Sequence, residues 1–323
     1  MPPTYKITKY GWTVAANTEH REMVQDTPDK LVEVSIKYFE NGFKRWGDVN
    51  TGKVKMFIIG DSYTQMTLVS NGEEWYSFLE KEFGNFELFV YGVGGYGSLQ
   101  EYMVLDDYID KIKPDLIILQ FCGNDLSNNL YDLDLLNYPR NSHGFRPYLE
   151  NGKIVYRLPL PLSALRRQSF IASRILQIYD KIMQKIVYSD LEAYEKQREI
   201  RIQNATKKEK ESIRLLKNKA YLVTNEIMAM IKKRSGDVPV YFLDVFYHNS
   251  YQGKKLCKSS NLIYISGIME HIVLNEKNYC LRVSNDGHWN KLGNKFVGEK
   301  LVEYFKKADI SKIGNPVTGT NAN

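Results

Sequence analysis

Cysteine is scarce in this 323-residue chain: Cys122, Cys257 and Cys280 stand far apart, none in CxxC or CxxH spacing. That excludes a disulfide framework and a structural zinc site, while a single Cys257–Cys280 bridge stays open. No run of about 18 apolar residues occurs, so no transmembrane helix is expected. The opening MPPTYKITKYGWTV lacks the apolar core of a secretory leader. The expected setting is cytoplasmic by default, or secreted or periplasmic if a leader was removed. Charge of one sign is in small excess, with a net +6, and nucleic-acid binding would need a concentrated patch as well. The 43% hydrophobic and 25% charged residues are ordinary globular values and exclude a disordered, collagen-like or low-complexity chain. The length allows one large domain or two ordinary ones.

What is present is an alternation of short apolar runs and amphipathic stretches. Residues 1–52 are polar, aromatic and weakly periodic and read as an arm or small subdomain, with 31–43 ambiguous between helix and strand. Then 54–59 (VKMFII) and 115–121 (DLIILQF) have the composition of strands buried on both faces, and 87–91 (ELFVY) and 238–245 (VPVYFLDV) read as a second and a fourth strand. Residues 73–83 and 98–112 between them have helical spacing, and 291–307 reads as a final amphipathic helix. This order predicts parallel strands joined by right-handed crossovers, an αβα sandwich. About 110 residues between the third and fourth strands exceed what a crossover needs. We expect an insertion at about 136–235, irregular over 138–161 and helical and basic over 163–234, and a flexible tail at 309–323.

In open α/β sheets, ligands bind beyond the carboxyl ends of the strands. The first predicted strand is followed by Gly60-Asp61-Ser62, the second by Gly92-Val93-Gly94-Gly95-Tyr96-Gly97, the third by Gly123-Asn124-Asp125, and the last helix is preceded by Asn285-Asp286-Gly287-His288. These are the parts of an acyl-transfer site. A serine hydroxyl needs a base, histidine is the usual one, and a carboxylate fixes its tautomer. An oxyanion needs donors, which the backbone N–H groups of Ser62 and Gly95 and the Asn124 amide would supply.

In these four motifs the sequence resembles the SGNH, or GDSL-type, serine hydrolases, over about 53–130 and 235–308. The resemblance implies a three-layer, flavodoxin-like sheet in a domain spanning 53–308. It implies Ser62 as nucleophile, His288 as base, and Ser62, Gly95 and Asn124 as the oxyanion hole. Many members place the acid three residues before the histidine, where this chain has Asn285; Asp286 is therefore the expected partner of His288. The implied reaction is hydrolysis of a small acyl ester through an acyl-enzyme, with O-acetyl groups on a carbohydrate as the expected substrate. No cofactor, metal, nucleic acid or integral membrane segment is implied, and the oligomeric state stays open. An O-acyltransferase using the same acyl-enzyme and an inactive carbohydrate-binding relative are the alternatives.

Gly92 to Gly97 also fits G-x-G-x-x-G, the mark of a dinucleotide site, but that belongs after the first strand with an acidic residue about 20 positions on. A metal-dependent phosphoesterase using Asp61, Asn124, Asp286 and His288 would need more ligands than the five histidines and nearby carboxylates offer. Asp61 and Asp125 are expected to brace their own loops and Cys122 to be a small buried hydrophobe. Tyr63 and Trp289 are expected in packing or in a pocket wall. His20 and His143 are expected in polar loops, and His248 and His271 in structural settings. Arg146, Arg166 and Arg167 are candidates for holding an anionic substrate.

Overall fold

The computed structural model describes residues 4–137, 146–157, 206–246, 250–284 and 286–310. The chain opens with β1 (Tyr5–Thr8), β2 (Gly11–Val14), β3 (Thr18–Thr27), β4 (Lys30–Tyr38) and β5 (Arg45–Trp46). There follow β6 (Val54–Gly60), α1 (Ser62–Gln65), α2 (Trp75–Glu82), β7 (Phe86–Gly92), α3 (Ser98–Ile112) and β8 (Leu116–Phe121). Next come α4 (Asp125–Asn128), α5 (Tyr131–Asn137), β9 (Arg146–Glu150), β10 (Lys153–Arg157) and α6 (Lys207–Ser235). The chain closes with β11 (Val240–Asp244), α7 (Ser250–Ser259), β12 (Ile263–Tyr264), α8 (Ile268–Asn275) and α9 (Lys291–Lys307). Two compact units result: one of residues 1–6, 13–125 and 224–323, the other of 7–12 and 126–223.

The first unit holds a six-stranded sheet in the order β12-β11-β8-β6-β7-β5, parallel throughout except for β5, which runs antiparallel to β7. Side chains alternate across it as the pleat dictates. Val54, Met56, Ile58, Leu116, Ile118, Tyr241 and Leu243 face Trp75 and Leu79 of α2 and Val297, Leu301 and Phe305 of α9. The opposite face carries Phe57 and Tyr91, which close on Phe43 and on Tyr108 of α3. Arg234 at the end of α6 ties that helix to α3 through Asp106 and Asp110. This is the three-layer, doubly wound arrangement. From β6 the chain moves outward to β7 and then back past β6 to β8, so the strand order reverses at β6, where such sheets bind ligands.

The segment read as an arm is built of strands. β3 and β4 form an antiparallel ribbon, and Arg45–Trp46 extends the main sheet at its edge, too short a strand to leave a periodic trace. The ribbon docks on the loop before α2: Ser35 N–H donates to Ser70 Oγ, and Lys37 N–H and Lys44 Nζ both donate to Asn71 Oδ1. Lys44 and Glu74 are fully buried, 3.5 Å apart, with Arg45 also 3.5 Å from Glu74. Burial lowers the Lys44 pKa to about 8 against the pull of Glu74.

The second unit corrects one expectation. Residues 146–157 form a hairpin, β9 with β10, where the prolines suggested irregular chain. Both strands of a two-stranded ribbon are edges, where a proline such as Pro147 is tolerated. Its turn is Asn151-Gly152, with φ of +50° and +71°, the Asn-Gly pair that suits a two-residue hairpin loop. Arg146 is buried, 3.2 Å from Asp134 and stacked on Trp12, so it is committed to packing rather than to an anionic substrate. Arg166 and Arg167, and the helical reading of 163–205, lie outside the described residues. No helix among the described residues is long and apolar enough to cross a membrane.

Candidate active site

β6 stops at Gly60 and α1 starts two residues later. The turn is capped by Asp61, whose Oδ1 accepts the Tyr63 N–H at 2.9 Å. Gln120 at the end of β8 accepts from Asp61 N–H at 3.1 Å and from the Thr64 hydroxyl at 2.9 Å. Two glycines make this close turn feasible. A methyl group at Gly60 would lie 2.3 Å from Gln120 Oε1, and one at Gly92 2.3 Å from the Gln65 backbone nitrogen. Ser62 is thereby presented at the first turn of α1, where backbone N–H groups have no intrahelical acceptor.

The glycine-rich turn after β7 passes beside this serine. A methyl group on Gly94 would lie 3.8 Å from Ser62 Cβ, and Gly95 takes φ of +75°, a conformation natural to glycine. Asn124 follows β8, and its side chain helps hold the Asp61 carboxyl. Asp125 accepts the Cys122 N–H at 3.1 Å and so braces the same loop.

His288 arrives on an irregular hairpin in which Val283 N–H bonds His288 O at 2.8 Å and Asn290 N–H bonds Leu281 O at 3.0 Å. Asn290 then caps α9 through Gly293 N–H at 2.9 Å. His288 Nε2 lies 2.6 Å from Ser62 Oγ, across 226 positions of sequence. His288 Nδ1 meets Asp286 Oδ1, which also accepts the His288 backbone N–H at 3.2 Å. The imidazole packs against the Tyr63 ring at 4.6 Å, and Trp289, fully buried, meets Tyr63 edge-on at 4.9 Å.

Electrostatics follow from this placement. Burial works to lower the His288 pKa, but the hydrogen bond and charge of Asp286, with Asp61 behind, outweigh it, and the net shift is upward. Burial would raise Asp286, yet its bonds to His288 leave it below the ordinary carboxylate range. Asp61, entirely buried, is raised by desolvation against the Tyr63 N–H bond and the charge of His288. Fully buried Glu101 on α3 interacts with it and is raised further, by burial first and Asp61 second.

Ser62, His288 and Asp286 are thus brought into one chain of contacts, and Gly95 and Asn124 lie at the ends of the strands flanking β6. Asn285 lies outside the described residues. Arg282 carries no motif and is missed by sequence reasoning: its Nη1 donates to Gly287 O at 2.6 Å and to Tyr63 Oη at 3.3 Å, clamping the histidine loop, while Nε pairs with Glu276 at 2.6 Å. Gln65, which accepts the Gly94 N–H at 2.6 Å, is missed as well. His20 is not in a loop but in β3, half-buried and stacked on Tyr38, because the alternating pattern of that strand is too polar to read. His271 lies on α8 against Phe296; His143 and His248 are outside the described residues. All three cysteines are free, with Cys122 and Cys257 buried and Cys280 exposed, so the possible Cys257–Cys280 bridge is not formed. Among the described residues, no three or more His, Cys, Asp or Glu side chains are grouped to hold a metal ion.

No curated protein matches the chain significantly in sequence. Solved structures do resemble it. A lipolytic protein of the G-D-S-L family from Veillonella parvula is 12% identical, with a TM-score of 0.43, over 79% of this chain and 99% of its own. The lipase/acylhydrolase from Enterococcus faecalis is 10% identical, with a TM-score of 0.44, over 79% and 97%. A family 3 carbohydrate esterase from Clostridium thermocellum is 12% identical, with a TM-score of 0.41, over 81% and 99%. The family model of the GDSL-like lipase/acylhydrolases matches residues 56–301, from the first strand of the parallel sheet into its last helix. With that span covering most of its length, the chain belongs to the GDSL-like lipase/acylhydrolase family and is an ester-bond hydrolase.

Proposed function

We propose that the chain is a serine esterase that cleaves a small acyl ester through an acyl-enzyme on Ser62. The observation that carries this reading is the 2.6 Å contact between Ser62 Oγ and His288 Nε2. His288 takes the hydroxyl proton as Oγ attacks the ester carbonyl, then returns it to the departing alcohol. Asp286 at Nδ1 selects the tautomer with Nε2 unprotonated and steadies the imidazolium that forms. The negative charge growing on the carbonyl oxygen falls to the Ser62 and Gly95 N–H groups and the Asn124 amide. Water attacks the acyl-enzyme with the same histidine as base, and Ser62 is released. Asp61 serves this mechanism by capping α1, its Oδ1 accepting the Tyr63 N–H at 2.9 Å and so holding the turn that presents Ser62.

Within this reading, the substrate class is an O-acetyl ester on a carbohydrate. Its support is the resemblance through the Asp286-x-His288 spacing, an arrangement associated with relatives that modify polysaccharides. The test is a short-chain aryl ester assay on the wild type, Ser62→Ala and His288→Ala, followed by acetate release from acetylated oligosaccharides. Both variants are expected to lose turnover by at least about three orders of magnitude. Hydrolysis surviving in Ser62→Ala would overturn the mechanism, and aryl ester turnover without acetate release would overturn the substrate class.

A further inference from the structure

The family match begins at residue 56, yet the ribbon of β3 and β4 before it reaches both halves of the site. Gln65, on α1 three residues after Ser62, is 2% exposed. Its Oε1 accepts the Gly94 N–H at 2.6 Å. Its Nε2 donates to the hydroxyl of Tyr38, the fully buried last residue of β4, at 2.9 Å, and to the Tyr5 hydroxyl at 3.3 Å. An amide has one acceptor end and one donor end. With the donor end held by Tyr38, the acceptor end is aimed at Gly94. The glycine-rich turn is therefore pinned one residue before Gly95. At the other end of the ribbon, Gln25 O accepts the Ser284 N–H at 3.1 Å and Asp26 O accepts from Asn290 Nδ2 at 3.4 Å. Those two bonds fall on the hairpin that carries His288.

We infer that the N-terminal ribbon is part of the catalytic apparatus, with Tyr38 and Gln65 as positioning residues that set the Gly94–Gly95 turn for oxyanion binding. The inference rests on the esterase reading above. Its physical basis is that an oxyanion donor works only when it is pre-aimed, and a displacement of about 1 Å can cost on the order of 100-fold in rate. Gln65 touches no reacting atom; it acts on where the next amide stands. A position that served packing alone would alter stability without favouring the transition state over the substrate.

The experiment compares wild type, Gln65→Leu and Tyr38→Phe by steady-state ester kinetics, by inhibition with a short alkylboronic acid, and by thermal melting. The boronate forms a tetrahedral adduct on the serine and so reads the oxyanion site directly. Gln65→Leu is expected to lower kcat by about 10- to 100-fold with KM changed less than about threefold, and to weaken the boronate by the same factor as kcat/KM. Tyr38→Phe, which loses one hydroxyl, is expected to lose about fivefold in kcat with the same split, and it decides the matter if Gln65→Leu does not fold. Unchanged kcat and boronate affinity in the folded variants would overturn the proposal. So would a loss confined to KM or to melting temperature. A wild type that neither hydrolyses esters nor labels at Ser62 with a fluorophosphonate refutes the esterase reading and this proposal with it. With an active wild type and a dead Ser62→Ala variant, the esterase reading stands, and the Gln65 and Tyr38 variants alone decide whether the ribbon positions the turn.

Discussion

Replacing Asp286 by asparagine separates orientation from charge at the histidine. Asp286 Oδ1 contacts His288 Nδ1 and also accepts the His288 backbone N–H, so one oxygen holds both ring and chain. An asparagine can keep the backbone bond with its carbonyl oxygen, but it does not stabilise an imidazolium, and in its other orientation it selects the wrong tautomer. In a buried triad this exchange costs about 10⁴ in kcat. The Asp286 side chain here is 41% exposed, and water offers an alternative acceptor, so the expected loss is about 10²- to 10⁴-fold, or roughly 3–5 kcal/mol at 1.36 kcal/mol per decade. The pH profile supplies an independent sign. Activity needs neutral His288, so it rises with pH through the His288 pKa. Burial lowers that pKa, and Asp286 supplies the larger part of what raises it above the ordinary value. Without the carboxylate, the acidic limb of kcat/KM is expected to move to lower pH, even as the maximum falls. The assay is a kcat/KM profile from pH 4.5 to pH 9 on wild type, Asp286→Asn and Asn285→Ala. A full-rate Asp286→Asn with an unmoved acidic limb, or a large loss in Asn285→Ala alone, would refute Asp286 as the partner.

Asn124→Ala is expected to lower kcat by about 10²- to 10³-fold with little change in KM, the usual cost of one oxyanion donor, as read by aryl ester kinetics. Gly92→Ala drives a methyl group to 2.3 Å from the Gln65 backbone nitrogen, so α1 must shift; about 1–3 kcal/mol of stability should be lost in chemical denaturation, with turnover falling alongside. Lys44→Met leaves Glu74 with Arg45 as its one cationic contact among the described residues and should destabilise by about 3 kcal/mol in the same assay. The lowered Lys44 pKa gives a further sign. The unfolded state keeps the proton to about pH 10 and the folded state only to about 8, so Lys44 makes wild-type stability rise with pH across that window, and Lys44→Met should lose that slope.

The parts of this molecule that were legible in its sequence are those where one local rule acts alone. Strands buried on both faces must be continuously apolar, and 54–59 and 115–121 announce themselves for that reason. Strand ends that leave the sheet in tight turns need glycine, which is why Gly60, Gly92 and Gly123 marked the edge where Ser62, Gly95 and Asn124 stand. The β3–β4 ribbon did not announce itself, because polar and apolar residues mix on each face: His20 and Glu22 share a face with Val34 and Ile36, while Met23 and Leu31 stand exposed among Glu19, Arg21 and Glu33, leaving too little contrast for a period of two. The hairpin at 146–157 was concealed differently, since its prolines argued for loop while the Asn151-Gly152 turn argued for pairing; the turn is the more specific signal and the one to weigh.

Gln65, Tyr38 and Arg282 were illegible for a deeper reason. A glutamine on a four-residue helix and a tyrosine at a strand end have no spacing that distinguishes them. Their roles arise only when β4 is laid against α1 and the histidine hairpin is closed over Tyr63. Sequence motifs mark groups that must have a particular chemistry at a particular turn, such as a nucleophile, a base or a glycine. The groups that hold those in place need only a donor or an acceptor at the right distance, and many residue types from any element can supply one. It follows that relatives sharing the motifs of 56–301 need not share the brace, and that swapping the N-terminal segment between them should reduce kcat more than it reduces binding.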